Sequence, residues 1–223
     1  MQTKSTLNLQ AEPLEIIQSD GFVDYEEAMA TMNKRVAEIQ VGNAAEALWL
    51  LEHPDLYTAG TSAQDSDLLD ASRFPVYKTG RGGEYTYHGP GQRVAYVMLD
   101  LKRREQDLRL YIKNLEQWMI NTLAHFNVEG ERRQGRVGIW VKNGNRENKI
   151  GAIGVRIRKW VTLHGISLNI DPNLQNFGGI IPCGISQHGV TSIYNEGHTP
   201  SFEEVDAALI GEFRKIFYLT RSS

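Results

Sequence analysis

The chain is 223 residues long, with 41% hydrophobic and 23% charged residues, enough apolar material to bury a sizeable core in one domain spanning residues 1–223. Its formal net charge of −3 excludes the strongly basic surface that nucleic-acid binding calls for. No stretch approaches the roughly 18 apolar residues of a membrane span, and a single cysteine excludes an intramolecular disulfide and argues against a structural metal site.

In chain order, Met1 to Gln10 is polar, with neither an apolar core nor an Arg-rich pattern, so no targeting signal and a cytoplasmic location are expected. Tyr25, Met29, Met32, Val36 and Ile39 recur at helical spacing, with Gly42 where that helix should stop. Ala47 to Leu51 reads as a short buried strand, and Arg93 to Leu101 as a second one. Between them, the glycines and proline of Arg81 to Gln92 predict a loop or a broken strand. Leu108, Tyr111, Ile112, Leu115, Met119, Leu123 and Phe126 form the apolar stripe of another helix. Arg136 to Val141 and Lys149 to Ile157 read as strands joined through Asn143, Gly144 and Asn145, residues that tolerate positive φ. Val161 to Ile170 is a further strand, and Asp171 to Thr199 has no periodicity. Ser201 and Glu204 predict a capping box ahead of a last helix whose apolar face is Val205, Leu209, Phe213 and Ile216. Helices and strands do not alternate regularly, so the expected class is α+β with a mixed or antiparallel sheet.

Three segments carry candidate chemistry. Arg81 to Gln92 contains His88 in a glycine-rich run, without the Gly-Lys-Ser/Thr ending of a phosphate-binding loop. Residues 149 to 154 (Lys-Ile-Gly-Ala-Ile-Gly) strip side chains from one stretch of strand, which leaves room for an acyl chain or permits a tight strand crossing. By pattern alone Lys149 is as readily a solvated lysine at a strand start. Cys183 stands between Pro182, which fixes φ, and Gly184, which does not, inside the aperiodic segment where functional loops occur. A thiol in that setting is either a small buried apolar group or a nucleophile.

Taken together, Arg81-Gly82-Gly83 with Thr86-Tyr87-His88-Gly89-Pro90-Gly91-Gln92, then Lys149 to Gly154 with His164-Gly165 and Asn169, then Pro182-Cys183-Gly184, resemble the lipoyl(octanoyl) transferase family. The similarity runs from about Leu48 to Ile193, most of the chain. The resemblance implies a fold shared with biotin and lipoate protein ligases and a catalytic pair falling on Cys183 and Lys149. It implies an acyl site lined by Arg81, Gly82, Gly83, Glu84, Tyr85, Thr86, Tyr87 and His88, by Ala152, Ile153 and Gly154, and by His164, Gly165, Ile166 and Ser167. The implied reaction takes an octanoyl group from the phosphopantetheine of acyl carrier protein, holds it as a thioester on Cys183, and delivers it to a lysine of a lipoyl domain. It needs no ATP, metal or separate cofactor. The implied acceptors are the E2 subunits of 2-oxoacid dehydrogenases and the glycine cleavage H protein, and the reaction opens endogenous protein lipoylation. His88 and His164 are rival bases for the thiol. Lys102-Arg103-Arg104 and Arg156-Ile157-Arg158-Lys159 are candidate docking patches for acidic partners. The competing readings are an ATP-dependent lipoate or biotin ligase on the same fold, a thioester hydrolase, and a carrier-binding module without turnover.

Overall fold

The computed structural model describes residues 14–181 and 189–219. Among them lie eleven strands and three α-helices, in the order β1 (Leu14–Phe22), α1 (Tyr25–Gln40), β2 (Glu46–Glu52), β3 (Leu56–Ala59), β4 (Val76–Lys78), β5 (Tyr85–His88), β6 (Gln92–Met98), α2 (Leu108–Ala124), β7 (Glu131–Arg133), β8 (Arg136–Asn143), β9 (Arg146–Arg158), β10 (Val161–Asn169), β11 (Gly189–Val190) and α3 (Phe202–Arg214). No helix among the described residues is long and apolar enough to cross a membrane.

The main sheet runs β1-β2-β6-β10-β9-β8-β7. It is mixed, as expected: β1 and β2 are parallel, while β2, β6, β10, β9, β8 and β7 pair antiparallel in succession. β11 lies parallel to β9 at Asn148 and Lys149, just beyond the last β10 pairing at Gly151. A second sheet, β4-β3-β5, packs its own small aromatic core around Tyr57, Tyr87 and Phe177.

Each helix forms for local reasons and is then held by its apolar face. Asp24 caps α1 by accepting from the backbone N–H groups of Glu26 and Glu27, and Ala28, Met32, Val36 and Ile39 bury against one face of the main sheet. Gly42, at φ +79°, stands just past its end. Asp107 caps α2, and Ser201 with Glu204 makes the predicted capping box of α3. These two helices cover the opposite face, where Leu115, Trp118 and Met119 meet Leu209 and Phe213 over β8, β9 and β10.

The strand expected to run to Leu101 stops at Met98. The Asp100 carboxylate accepts from the Lys102 N–H and starts a 3₁₀ turn over Leu101–Arg103. The same turn withdraws Arg104 from the surface. Its guanidinium meets both oxygens of the fully buried Glu46 carboxylate and lies 4.9 Å over the Tyr218 ring, so it belongs to the interior and not to a docking patch.

Candidate active site

A cavity of about 250 Å³ opens on the α1 face of the main sheet, between β5, β6, β9 and β10. Its wall is built by three departures from regular strand geometry. The first is in β9. Ile139 pairs with Gly151 but Trp140 pairs with Lys149, so Ile150 is an extra residue, a β-bulge. Regular alternation would set Lys149 on the face of Gly151 and Ile153, toward α2. The bulge turns it to the face of Ala152 and Gly154, while Ile150 stays in the core. The second departure is Gly138, at φ +116°, where a Cβ would meet the Lys149 Cε at 2.5 Å. Only glycine leaves the lysine stem that space.

The third departure is His164. Its φ of +60° lies in the left-handed region, which a histidine occupies at a cost. Leu163 already faces α1, yet His164 follows it to the same side. Its N–H lies 3.0 Å from the Met32 sulfur and its ring sits edge-on to Tyr96, 6.0 Å between centroids. Its Nε2 is buried on the cavity wall without a hydrogen-bond partner among the described residues.

A hydrogen-bonded chain fixes His88. The Gln92 amide nitrogen donates to the carbonyl oxygen of Tyr87 (3.2 Å) and to Asn169 Oδ1 (2.9 Å), and Asn169 Nδ2 donates to the carbonyl oxygen of Thr191 (2.9 Å). Carbonyls only accept, so both amide orientations are set, and Gln92 Oε1 must accept from His88 Nδ1 at 2.6 Å. The ring's acceptor is therefore Nε2. Behind it, His53 Nδ1 donates to the Val23 carbonyl (2.6 Å), so its Nε2 accepts from the Tyr96 hydroxyl (2.8 Å).

Burial disfavours the protonated form of all three rings. Desolvation, then the neighbouring His53 and Arg81, push His88 down to about 3. Desolvation with Arg81 and Arg156 pushes His164 down to about 4, and desolvation lowers His53. The histidines are thus neutral near neutral pH. Desolvation, followed by the charge of Asp67, raises Glu84, with Lys149 acting the other way. The Arg81 guanidinium is anchored beside the cavity, donating to Thr58 O (2.8 Å), Thr58 Oγ1 (2.6 Å) and Gly82 O (3.0 Å).

Of the residues expected at the acyl site, Arg81, Gly83, Glu84, Tyr85, Thr86, His88, Lys149, Ala152, Ile153, Gly154, His164, Gly165, Ile166 and Ser167 line this cavity. Gly82 and Tyr87 do not. Gly82 ties its loop to β9 by donating to Val155 O (2.9 Å). Tyr87 alternates away from Thr86 and His88 into the aromatic core, where its hydroxyl donates to Asp55 and its ring meets Phe177. The glycines of β9 serve packing. A Cβ at Gly151 would meet the Met119 sulfur and one at Gly154 the Arg81 stem, so their missing side chains admit those groups, while Ala152 and Gly154 line the cavity. Cys183 lies outside the described residues. The chain on either side of it is anchored: Ile181 N–H donates to Asp67 O (2.8 Å), and Val190 pairs with Lys149. Sequence reasoning did not single out Tyr25, Tyr96, Trp140 or Phe177 as wall residues. Each reads locally as an ordinary core aromatic, and only cross-strand neighbours reveal its position.

The architecture is that of lipoate-protein ligases. The fold matches a chain from a structural analysis of a bipartite lipoate protein ligase and its E2 lipoyl domain from Thermoplasma acidophilum (TM-score 0.68, 14% identity, 92% of this chain and 83% of that one). It also matches a lipoate-protein ligase A bound with ATP (TM-score 0.67, 15% identity, 92% and 85%). Residues 24–214 match the family described as the lipoyl protein ligase A/B catalytic domain. Within it, the chain is 63% identical to an octanoyltransferase of Paramagnetospirillum magneticum, over 92% of this chain and 97% of that protein. It is 60% identical to an octanoyltransferase of Rhodospirillum rubrum, over 89% and 93%. The chain belongs to the octanoyltransferase family.

Proposed function

We propose that the chain, as one catalytic unit in the cytoplasm, transfers an octanoyl group from an acyl carrier protein to a lysine of a lipoyl domain, through a thioester on Cys183. In the first step the Cys183 thiolate attacks the thioester carbonyl of the donor. A carbon–sulfur bond forms to Cys183, the bond to the phosphopantetheine sulfur breaks, and that sulfur leaves with a proton. In the second step the acceptor amine attacks the Cys183 thioester, an amide forms, and the amine proton returns to the cysteine side. Thioester exchange is near balance and amide formation is downhill, so neither step calls for ATP.

The observation that carries this reading is the division of labour on the cavity wall. Lys149 presents an amine there, 7% exposed, whereas His88 and His164 are held neutral by burial. A ring with a pKa of about 3 or 4 is a poor acceptor for a thiol proton released near 8.5, uphill by roughly 6–7 kcal/mol. An ammonium about 4 Å from a thiolate attracts it by about 4 kcal/mol at an effective dielectric near 20, before desolvation is deducted. The amine also suits a proton relay, to the departing pantetheine thiol and from the incoming amine. Family membership supports the same assignment of Lys149 and Cys183.

The test is the intact mass of the purified chain after mixing with octanoyl-carrier protein and no ATP. An octanoyl adduct is expected that hydroxylamine removes, that Cys183→Ser does not form on sulfur, and that Lys149→Ala forms more slowly. An unmodified wild type beside a competent donor would refute the covalent route and favour an ATP-dependent ligase or a carrier-binding module.

A further inference from the structure

The Lys149 side chain has a seat of its own. Its stem runs over Gly138, where a Cβ would come within 2.5 Å of Cε and 3.2 Å of Nζ. Its Nζ lies 5.3 Å from the ring centroid of Trp140, the residue opposite it on β8. That is within range of the attraction between a cation and the negative face of an indole ring, which is strongest where water is excluded. Water is largely excluded here, since Trp140 is 2% exposed. The ring itself is tethered, its Nε1 donating to Arg136 O at 3.3 Å.

We propose that Trp140 is a positioning residue for the transfer reaction, holding the Lys149 amine over the Gly138 notch so that it faces the cavity. The role of this seat rests on the reading that the Lys149 amine serves the transfer. A lysine stem free to rotate would carry its charge over a wide arc and lose most of its effect on a neighbouring thiolate. The Arg136 guanidinium stacks 4.7 Å over the same indole and is itself paired with Glu147. Glu84 lines the same cavity, and the charge of Lys149 works against the rise of its pKa.

The test reads Lys149 directly, in the full-length chain labelled with ¹³C at the lysine Cε and assigned by loss of one signal in Lys149→Arg. In the wild type the Lys149 ε-protons are expected upfield from the indole ring current. In Trp140→Leu that shift should vanish. Trp140→Phe should fall between the two. Gly138→Ala should lose the ring-current shift with the tryptophan still present. A Lys149 signal with the same chemical shift in Trp140→Leu as in the wild type overturns the proposal. Should Trp140→Leu fail to fold, Trp140→Phe and Gly138→Ala decide the matter on the same readout. The readout needs no substrate, so a wild type that forms no octanoyl adduct would refute the transfer reading and leave the seat of Lys149 intact.

Discussion

Two buried neutral histidines on the cavity wall should make the protein acid-labile in a narrow window. His88 and His164, with folded-state values near 3 and 4, refuse protons that the unfolded chain accepts at about 6.5. Their folded values lie below the unfolded one, so stability is lost as pH falls through 6.5 and goes on falling until the folded values are reached. At about pH 4.5 each ring has withdrawn roughly 2.7 kcal/mol, and the pair roughly 5 kcal/mol. That is comparable to the whole stability of a marginal domain, typically about 5–15 kcal/mol. Carboxylates held low by hydrogen bonds, such as Glu212 at about 2, act only further down the scale. Glu84, raised by desolvation, works in the opposite sense. The assay is urea unfolding at several pH values between about 7 and 4.5, followed by circular dichroism. The expected slope is about 2.7 kcal/mol per pH unit in the lower half of the window. His164→Asn is the informative variant, because asparagine tolerates the left-handed backbone found at φ +60°. It should cut the slope to about half. A wild type that loses no more stability with acid than His164→Asn would refute the claim that burial holds these rings neutral.

Three further outcomes follow from packing. Asp206→Ala removes the partner of Arg93, whose Nε lies 2.8 Å from the carboxylate with both side chains buried. It should cost about 3–5 kcal/mol in urea unfolding, since a buried cation is left uncompensated. Gly165→Ala drives a Cβ to within 2.1 Å of the Ala95 carbonyl oxygen in the middle of the sheet. It should destabilise by about 1–3 kcal/mol by the same measurement. Ser201→Ala deletes the hydroxyl that accepts from the Glu204 N–H, leaves the Ser201 N–H bond to the Glu204 carboxylate, and should cost about 1 kcal/mol while leaving octanoyl transfer unchanged at moderate temperature.

What was legible in the sequence was whatever depends on near neighbours. The apolar stripes of α1, α2 and α3 and the capping box gave those helices within a residue or two, and the continuous apolar run gave β2. Strands defined by distant partners were not legible. Leu14–Phe22 is an edge strand paired only with β2, and its alternation is broken by a register shift between Gln18 and Phe22. Leu56–Ala59 and Val76–Lys78 are too short to carry a period; the first exists because it pairs with both β4 and β5, the second because it pairs with the first. The turn between β9 and β10 has left-handed φ at Lys159 (49°) and Trp160 (69°), where neither a glycine nor an asparagine announces it. In the site, the family motifs located most of the wall, and composition left the β9 glycines open between an acyl channel and tight packing; their missing side chains make room for Met119 and Arg81, with both glycines still on the cavity wall.

The remainder of the site was hidden for a reason that bears on how it works. A regular strand sends successive side chains to opposite faces, so it cannot bring Lys149 and Ala152 to one wall, nor Leu163 and His164. The bulge at Ile150 and the left-handed turn at His164 achieve both, and the positive φ of Gly138 opens the notch beneath the lysine. A residue held in a sparsely populated backbone region costs on the order of 1–3 kcal/mol and persists only where its surroundings over-determine it. Here the surroundings are two cores, one on each face of the same strands. Ile150 is gripped by the α2 side, and Leu163 is gripped by the α1 side. The side chains that converge on the cavity are therefore set by packing on both faces of the sheet. This is why local sequence rules fail at these positions and hold along the helices on either side.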